Sequence, residues 1–459
     1  MTKRAARHQT QGAPLYLRKI ELENVRCFEK LKLDLSTPKD RPRNWAVVLG
    51  DNSVGKTTLL RSVAMGLCDE ASAAGLLREI YGEWNRESSS GRDPRELKPA
   101  KIRLEFFPTE DADDISVTTH VEPSPGGYSK VSQRAKYGKL KSFPWDRVFA
   151  CGYGAARRGF GTKDIDDYAT LDAVYTLFNY DVPLQNPELV LRRIAAKKQK
   201  LDPILDGIAN VLQLEPKSIS LTEKGLSIRG DWGAFQPIRG LGDGYQATLA
   251  WITDLMGWAI FYDPDMDLSD LAGIVLIDEL EQHLHPKWQR RIIGLLSSHF
   301  PGVQFIATTH TPMCAIVTTD LDDEQAELIV LRRDGDAVTA LEDVAPPRGR
   351  RADQVLTSDL FGLATTTSDD LTQAVSRYSQ LRSKPKLTPS ERQEKARLFK
   401  TLHAQLTSSE TSFETEVKSQ VTKALENIRR GAFDERAAKF DKEAVEFEVL
   451  RQLRNLASS

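Results

Sequence analysis

The run Tyr16-Leu17-Arg18-Lys19-Ile20-Glu21-Leu22-Glu23-Asn24-Val25 alternates apolar and polar positions, and Leu31-Lys32-Leu33-Asp34-Leu35 alternates again. A period of two marks a half-buried strand, so the two runs predict an antiparallel pair. Residues 44–49 are a short apolar run of strand character, and 102–107 and 115–121 are further strand candidates. Residues 147–154 predict a buried strand ending in a glycine-rich turn, followed by Arg157 and Arg158. The stretch 86–99, rich in Ser, Gly, Arg and Pro, reads as a mobile loop, and the polar, basic stretch 123–141 as a second exposed loop.

The pattern becomes helical over 171–214, where Leu189, Leu191, Ile194, Leu201, Ile204, Leu205, Ile208, Val211 and Leu212 recur. Residues 219–222 and 226–229 predict a hairpin, and a buried helix is expected to begin at Ala247. An apolar strand at 273–277 ends in Asp278 and Glu279, 286–300 reads as one amphipathic helix, and 304–310 is a strand ending in His310. A terminal hairpin is expected from 328–331 and 338–341, and 348–363 as a short docking segment. From about Thr365 the chain is charged and helical. Thr388-Pro389-Ser390-Glu391 forms a capping box with proline at the first helical position. Phe413, Val417, Val421, Leu425 and Ile428 make one apolar seam, and Phe440, Ala444, Phe447, Leu450 and Leu453 another. Such seams must pack on each other or on a partner.

A length of 459 residues suggests two to four domains, or one large domain with insertions. The formal net charge of -2 gives no global push toward nucleic acid or membrane. The four cysteines are scattered without C-x-x-C spacing, which points to reduced thiols and away from a zinc site or disulfide framework. No apolar segment follows the basic start, so no signal peptide is expected. The longest apolar stretch, 247–262, contains Asp254 and is too short to span a bilayer. A soluble, cytoplasmic protein without membrane partner is the expectation.

Gly50-Asp51-Asn52-Ser53-Val54-Gly55-Lys56-Thr57, followed by Thr58, satisfies G-x-x-x-x-G-K-[ST] between a strand and a helix start. The backbone N–H groups of such a loop and the positive end of the helix dipole hold a polyphosphate. Lys56 is expected to reach the β- and γ-phosphates of ATP, and the Thr57 hydroxyl to bind Mg2+. Asp278, at the end of its apolar strand, is expected to hold the same Mg2+, and Glu279 to polarise the attacking water. Adjacent buried carboxylates otherwise lack a reason to be there. Gly240-Leu241-Gly242-Asp243-Gly244-Tyr245-Gln246 places small residues around Asp243 at a helix start, a second anion-receptive nest. His283 and His285 invite a metal reading, but no third ligand is evident, and a structural or contact role is expected.

In this order, over residues 20–312, the motifs resemble those of ABC-type ATPases of the RecF/SMC/OLD group. The opening Ile20-x-Leu22-x-Asn24-Val25-Arg26-x-Phe28 resembles the start of such chains, which implies that Arg26 lies near the nucleotide. Gly242, Asp243 and Gly244 resemble the signature loop in its L-x-D-G-Y variant, which in the family touches the γ-phosphate held by the other protomer. His310 holds the switch-histidine position, where a neutral imidazole reads the γ-phosphate, and 281–286 resembles the D-loop region. The Q-loop position has no convincing glutamine; related chains carry Tyr-Gly-x-x-Arg there, so Arg157 is a candidate sensor of nucleotide or partner, with an exposed basic turn as the alternative. Ser53 and Val54 depart from the family loop, where glycine and a small residue are commoner, and a tighter or slower site follows from that.

The fold class implied is α/β: a P-loop NTPase head with a mixed sheet, flanking helices and an antiparallel β subdomain, plus a small helical insertion lobe and a helical C-terminal region. The expected divisions are a disordered basic leader (1–14), two halves of the head (15–170 and 236–345), the insertion (171–235) and a helical oligomer or partner-docking region (346–459). Within the group, the short insertion, Glu281-x-His-Leu-His-Pro and the 353–363 segment look most like ATPase subunits of Septu antiphage systems. That resemblance implies a homodimer or higher oligomer through heads and C-terminal helices, and a separately encoded HNH nuclease. The helical tail offers no strand-rich acidic nuclease domain, so the chain is not expected to cut nucleic acid itself. The alternative is a RecF-like DNA-repair ATPase without nuclease partner, binding DNA on the basic helix carrying Arg192, Arg193, Lys197, Lys198 and Lys200. A transporter ATPase is disfavoured by the absence of a standard signature and coupling segment.

Overall fold

The computed structural model describes residues 13–407 apart from 81–82, 88–96, 124–128, 158, 162–164, 166, 198–200, 319–320, 322–323, 342–343, 345–346, 364–368 and 385–386. Most of the expected basic leader, most of the 86–99 loop and both apolar seams of the tail lie outside the described residues.

β1 (Leu17–Val25) and β2 (Phe28–Asp34) pair antiparallel as predicted. Ile20 and Leu22 keep the period of two, while an irregularity between Leu17 and Lys19 and the left-handed Asn24 bring Leu17 and Val25 to the buried side as well. β3 (Trp45–Gly50) is buried along nearly its whole length and delivers the chain to α1 (Lys56–Gly66). α2 (Glu70–Arg78) follows, capped by the Asp69 side chain, which accepts from Ser72 N. β4 (Ala100–Phe106), β5 (Ile115–Glu122) and β6 (Lys130–Tyr137) complete a five-stranded antiparallel sheet of order β2-β1-β4-β5-β6. β6 occupies the middle of the stretch 123–141 expected to be an exposed loop. Only Val131 and Tyr137 of it are buried, so its polar residues conceal an edge strand that pairs with β5 from Tyr137 to Lys130.

The strand expected at 147–154 is shorter. A 3-10 turn at Trp145–Arg147 precedes β7 (Ala150–Tyr153), whose first amide donates to Tyr168 Oη (2.8 Å). β8 (Phe160–Gly161), α3 (Thr170–Val174) and β9 (Leu184–Gln185) lead to α4 (Pro187–Ala196), capped by Asn186 with proline at its start. α5 (Leu201–Val211), β10 (Ile219–Thr222), β11 (Gly225–Ile228) and β12 (Gln236–Pro237) follow; the last three form an antiparallel sheet containing the expected hairpin. α6 (Asp243–Tyr262) starts a turn earlier than Ala247, with extended Gly242 as its cap. Gly244 fits that first turn because a Cβ there would lie 2.7 Å from the His283 carbonyl.

β13 (Ala272–Ile277) carries the acidic pair at its end. The single helix expected at 286–300 is two, α7 (Pro286–Gln289) and α8 (Ile292–His299), because Arg291 leaves helical geometry at φ −124. β14 (Gly302–Thr309), α9 (Pro312–Val317), β15 (Ala326–Asp334), β16 (Ala337–Leu341) and α10 (Ala352–Leu356) close the first compact unit, 1–364.

The central sheet has the order β16-β15-β3-β14-β13-β7, parallel except for β16. Its strands divide their side chains between two cores. Trp45, Val47 and Leu49 of β3, Val275 and Ile277 of β13, and Val303, Phe305 and Ala307 of β14 face one cluster, shared with α4, α5 and α6. Ala46, Val48, Ile274, Leu276 and Ile306 face the other, which holds α1 and the inner side of the antiparallel sheet. The residues of 184–228 therefore bury their apolar positions in the core of the central sheet. A parallel sheet covered on both faces accounts for the near-continuous apolar strands.

The second unit, 365–459, contains α11 (Asp369–Ser383) and α12 (Pro389–Thr407). They are joined by a two-pronged Arg377–Glu394 pair (2.8 and 3.0 Å) and by Lys384–Glu391. Thr388 and Glu391 form the expected reciprocal cap.

No helix of the described residues is long and apolar enough to cross a membrane. α6 buries Asp254, which accepts from Gln185 N (2.8 Å) and Tyr153 Oη (3.1 Å). Burial raises its pKa to about 6, outweighing these hydrogen bonds. The folded chain thus retains a proton that the unfolded chain has already released. The associated stabilisation is complete below about 3.8 and is lost as pH rises through about 6. At about 1.4 kcal/mol per pKa unit it amounts to roughly 3 kcal/mol. Asp254→Asn keeps an acceptor for Gln185 N, and its stability relative to wild type is expected to improve between pH 4 and pH 7. Thermal melts across that range test this; a gap independent of pH would refute it.

Candidate functional site

β3 ends in the middle of the parallel sheet, and the chain turns over the carboxyl ends of the strands into α1, the crevice where open α/β sheets bind ligands. A Cβ at Gly50 would lie 2.7 Å from the Leu331 carbonyl and 2.8 Å from Val54 Cγ2. Gly55 caps α1 at φ 90, and a side chain there would collide with Cys27 Sγ and sit 2.8 Å from Phe28 Cζ. Neither position accepts another residue without displacing its neighbours. No side chain caps α1 and no acid stands in its first turn, so its leading N–H groups remain open to an anion.

Ser53 adopts φ 65, a left-handed conformation that disfavours a side chain by roughly 1–2 kcal/mol. Its carbonyl is held by Arg333 Nη2 at 2.7 Å. That bond holds the serine in its left-handed conformation, while Val54 is buried beneath the loop. Lys56 Nζ folds back to donate to the Gly50 (2.7 Å) and Asp51 (3.0 Å) carbonyls. Burial lowers its pKa, opposed by Asp278, Glu279, Glu281 and Asp51.

The acidic pair arrives from β13. Asp278 is 1% exposed and its carboxylate lies between two hydroxyls: Thr57 Oγ1 donates to Oδ2 and Thr308 Oγ1 to Oδ1, each at 2.6 Å. Glu279 turns away from the strand at φ 49, with its N–H on Thr308 Oγ1 (2.8 Å). Two residues on, buried Glu281 accepts at Oε1 from His310 N (2.7 Å) and pairs with His310 Nδ1 (2.8 Å). That pair occupies Nδ1 and leaves Nε2 as the ring nitrogen available to a ligand. His285 accepts from Lys287 N (3.3 Å) and caps α7.

A cavity of about 300 Å³ joins these groups. It is lined by Asn52, Ser53 and 55–58 of the loop, by Asp278 and Glu279, and by Arg26 and Cys27. Arg26 donates from Nε to the Glu83 carbonyl (3.2 Å) and lies over the Trp84 ring at 5.3 Å. Gly50, Asp51 and Val54 shape the loop without lining the cavity. Gly242, Asp243 and Gly244, at the start of α6, and His310 are likewise absent from its lining. The donor set fits a nucleotide with Mg2+: a lysine, uncapped helix amides, and a hydroxyl beside a carboxylate, hard oxygen ligands that together with phosphate oxygens suit this ion.

Three site residues carried too little signal for the sequence to assign. Thr308 and Glu281 stand in recognised segments, but only their pairing with Asp278, Glu279 and His310 defines what they do. Arg157 is neither an exposed turn residue nor a lining residue of the cavity: it is 6% exposed, and Nη2 donates to the carbonyls of Asp278 (2.8 Å) and Glu279 (2.5 Å). Burial lowers its pKa to about 10, opposed by Glu281, Asp278 and Glu279, so it stays charged at neutral pH. On the basic helix, Arg192 bonds Glu188 and the Thr222 carbonyl, Arg193 lies over Phe261 at 4.8 Å, and Lys197 donates to the Ile260 carbonyl. These three cations are engaged within the fold.

Two family models match the chain: "AAA domain" over residues 19–142 and "AAA domain, putative AbiEii toxin, Type IV TA system" over 157–313. The "Septu protein PtuA" of Bacillus mycoides (strain KBAB4) is 26% identical over 83% of this chain and 49% of its own length. The "Retron Ec83 probable ATPase" of Escherichia coli is 32% identical over 39% of this chain and 30% of its own. The chain thus spans about half the length of the first of these curated relatives and less of the second. Among solved structures, the "SMC head domain from Thermotoga maritima" covers 72% of this chain at 15% identity and a TM-score of 0.42.

Thr308→Val removes the hydroxyl that serves both Asp278 and Glu279 N and leaves two buried polar groups unpaired. A stability loss of about 1–3 kcal/mol is expected, with weaker Mg2+-dependent ATP binding, both measurable by thermal denaturation with and without the ligands.

Proposed function

We propose that this chain, a P-loop ATPase of the RecF/SMC group, is an ATP-driven switch of bacterial antiphage defence whose heads act in pairs. Lys56, the loop amides and Arg26 bind the nucleotide, and Thr57 and Asp278 hold Mg2+, which neutralises phosphate charge when bound. Glu279 takes the proton of the attacking water as general base. His310, oriented by Glu281, and Gly242–Gly244 of the opposite protomer read the γ-phosphate. The observation that carries the paired reading is the division of the motifs: Lys56, Thr57, Asp278 and Glu279 line one cavity, while Gly242–Gly244 and His310 do not. Such a half-site is completed by a second copy.

The defence assignment rests on similarity to a protein named Septu PtuA over most of this chain and to retron ATPases over shorter stretches. By that likeness we propose a separately encoded HNH nuclease as effector, a cytoplasmic setting, and oligomerisation through the heads and the C-terminal helices. DNA would be reached through the nuclease or directly.

Lys56→Ala is expected to abolish ATP binding, read by equilibrium titration. Glu279→Gln is expected to bind ATP normally and to lose hydrolysis by about 10²–10⁴-fold; turnover equal to wild type would remove Glu279 as the base. ATP-dependent self-association that is retained in Glu279→Gln and lost in Gly242→Trp, where an added side chain meets nothing within 4 Å of its own protomer, would support the composite site. Co-purification of a nuclease encoded beside this chain tests the partner, and its failure to associate would argue for a DNA-repair role.

A further inference from the structure

Arg157 emerges from the turn after β7 and is buried with three donations to main-chain carbonyls: Nε to Gly154 (3.3 Å), Nη2 to Asp278 (2.8 Å) and to Glu279 (2.5 Å). Its guanidinium also lies 5.9 Å from the centre of the Trp251 ring on α6. It does not line the nucleotide cavity. Its observed bonds are to the backbone of the acidic pair.

That backbone needs holding. Glu279 stands at φ 49, where a residue with a side chain is strained and persists only if its surroundings over-determine it. Thr308 Oγ1 fixes the Glu279 N–H, and Arg157 fixes the two carbonyls that flank the Glu279 Cα, those of Asp278 and of Glu279 itself. Nη2 donates to both successive carbonyls while Nε of the same rigid plane is anchored on the Gly154 carbonyl; an ammonium offers one donor centre on a flexible stem and lacks that second anchor. Charge-assisted bonds of this kind are the stronger class, and this one is buried.

We infer that Arg157 is a positioning residue that locks the main chain of Glu279 in its left-handed turn and thereby aims the carboxylate proposed as the base. This rests on the ATPase reading above for its effect on rate, but not for its effect on backbone geometry. Arg157 acts through the peptide groups of 278–280.

The test uses the full chain with Arg157→Gln and Arg157→Lys. Three quantities are measured: affinity for a fluorescent ATP analogue, kcat and KM for ATP, and amide hydrogen exchange without nucleotide. For Arg157→Gln we expect affinity and KM within about threefold of wild type, kcat lowered at least tenfold, and exchange across 279–282 accelerated about tenfold, with 56–58 unchanged. Arg157→Lys should fall between wild type and Arg157→Gln in both kcat and exchange. Unchanged exchange at 279–282 in Arg157→Gln overturns the inference, as does a loss of ATP affinity matching the loss of rate, which would make Arg157 a nucleotide ligand. If Arg157→Gln does not fold, Arg157→Lys decides: wild-type kcat and wild-type exchange together overturn it. If wild type itself hydrolyses no ATP, the ATPase reading fails, while the exchange measurement still settles the positioning role.

Discussion

The carboxylate of Asp278 is held between two threonine hydroxyls, one from the first turn of α1 and one from the end of β14. Its backbone N–H is meanwhile taken by Tyr153 of β7. One buried residue thus joins the first turn of α1 and β14 through its side chain, and β7 through its backbone, to the strand that carries the acidic pair. A buried carboxylate is unfavourable unless its oxygens are satisfied, so this arrangement constrains all three neighbours together. It requires β13 to lie between β14 and β7, and β3 to follow next, as the observed sheet order provides. A slip of one residue in β13 would point Asp278 at the opposite core and undo the site.

The two cores keep that register fixed. Alternate residues of β3, β13, β14 and β15 enter opposite apolar clusters, so each strand is specified on both faces. α1 is pressed between the central sheet and the antiparallel sheet. At Gly66 a Cβ would fall 2.9 Å from Leu104 Cγ, which shows how closely the helix approaches β4. The helix that carries the loop is therefore immobilised by packing, and the loop can be left with open amides. Two buried polar side chains tie elements together across these cores: Gln304 exchanges hydrogen bonds with the Leu17 backbone, and Asp254 joins α6 to β7 and β9.

The same economy of contacts links the signature turn to the chemistry. α6 starts at that turn, packs Gly244 against the carbonyl of His283, and further along presents Trp251 and Asp254 to Arg157 and Tyr153. A displacement of α6 by a second copy would bear on the segment that holds Glu279. In the proposed pair, binding at the signature and the aim of the base would be mechanically coupled through buried residues rather than through the nucleotide alone.

The sequence by itself determined the site's chemical inventory and most of the element order. Gly50–Thr58, Asp278-Glu279 and His310 are local strings whose spacing expresses the geometry of a loop, a strand end and a helix start. The buried strands are legible because apolar runs have few other uses. It could not separate β6 from a loop, since an edge strand needs few apolar residues, nor place the break between α7 and α8, where Trp288 packs against Tyr245 from another element. Arg157, Glu281 and Thr308 were also beyond it. Each takes its meaning from a partner at the end of another strand, at separations of 121, 29 and 30 residues. Tertiary structure alone decided these, because a hydrogen bond is set by where two atoms meet, and a residue type fixes only what it can donate or accept.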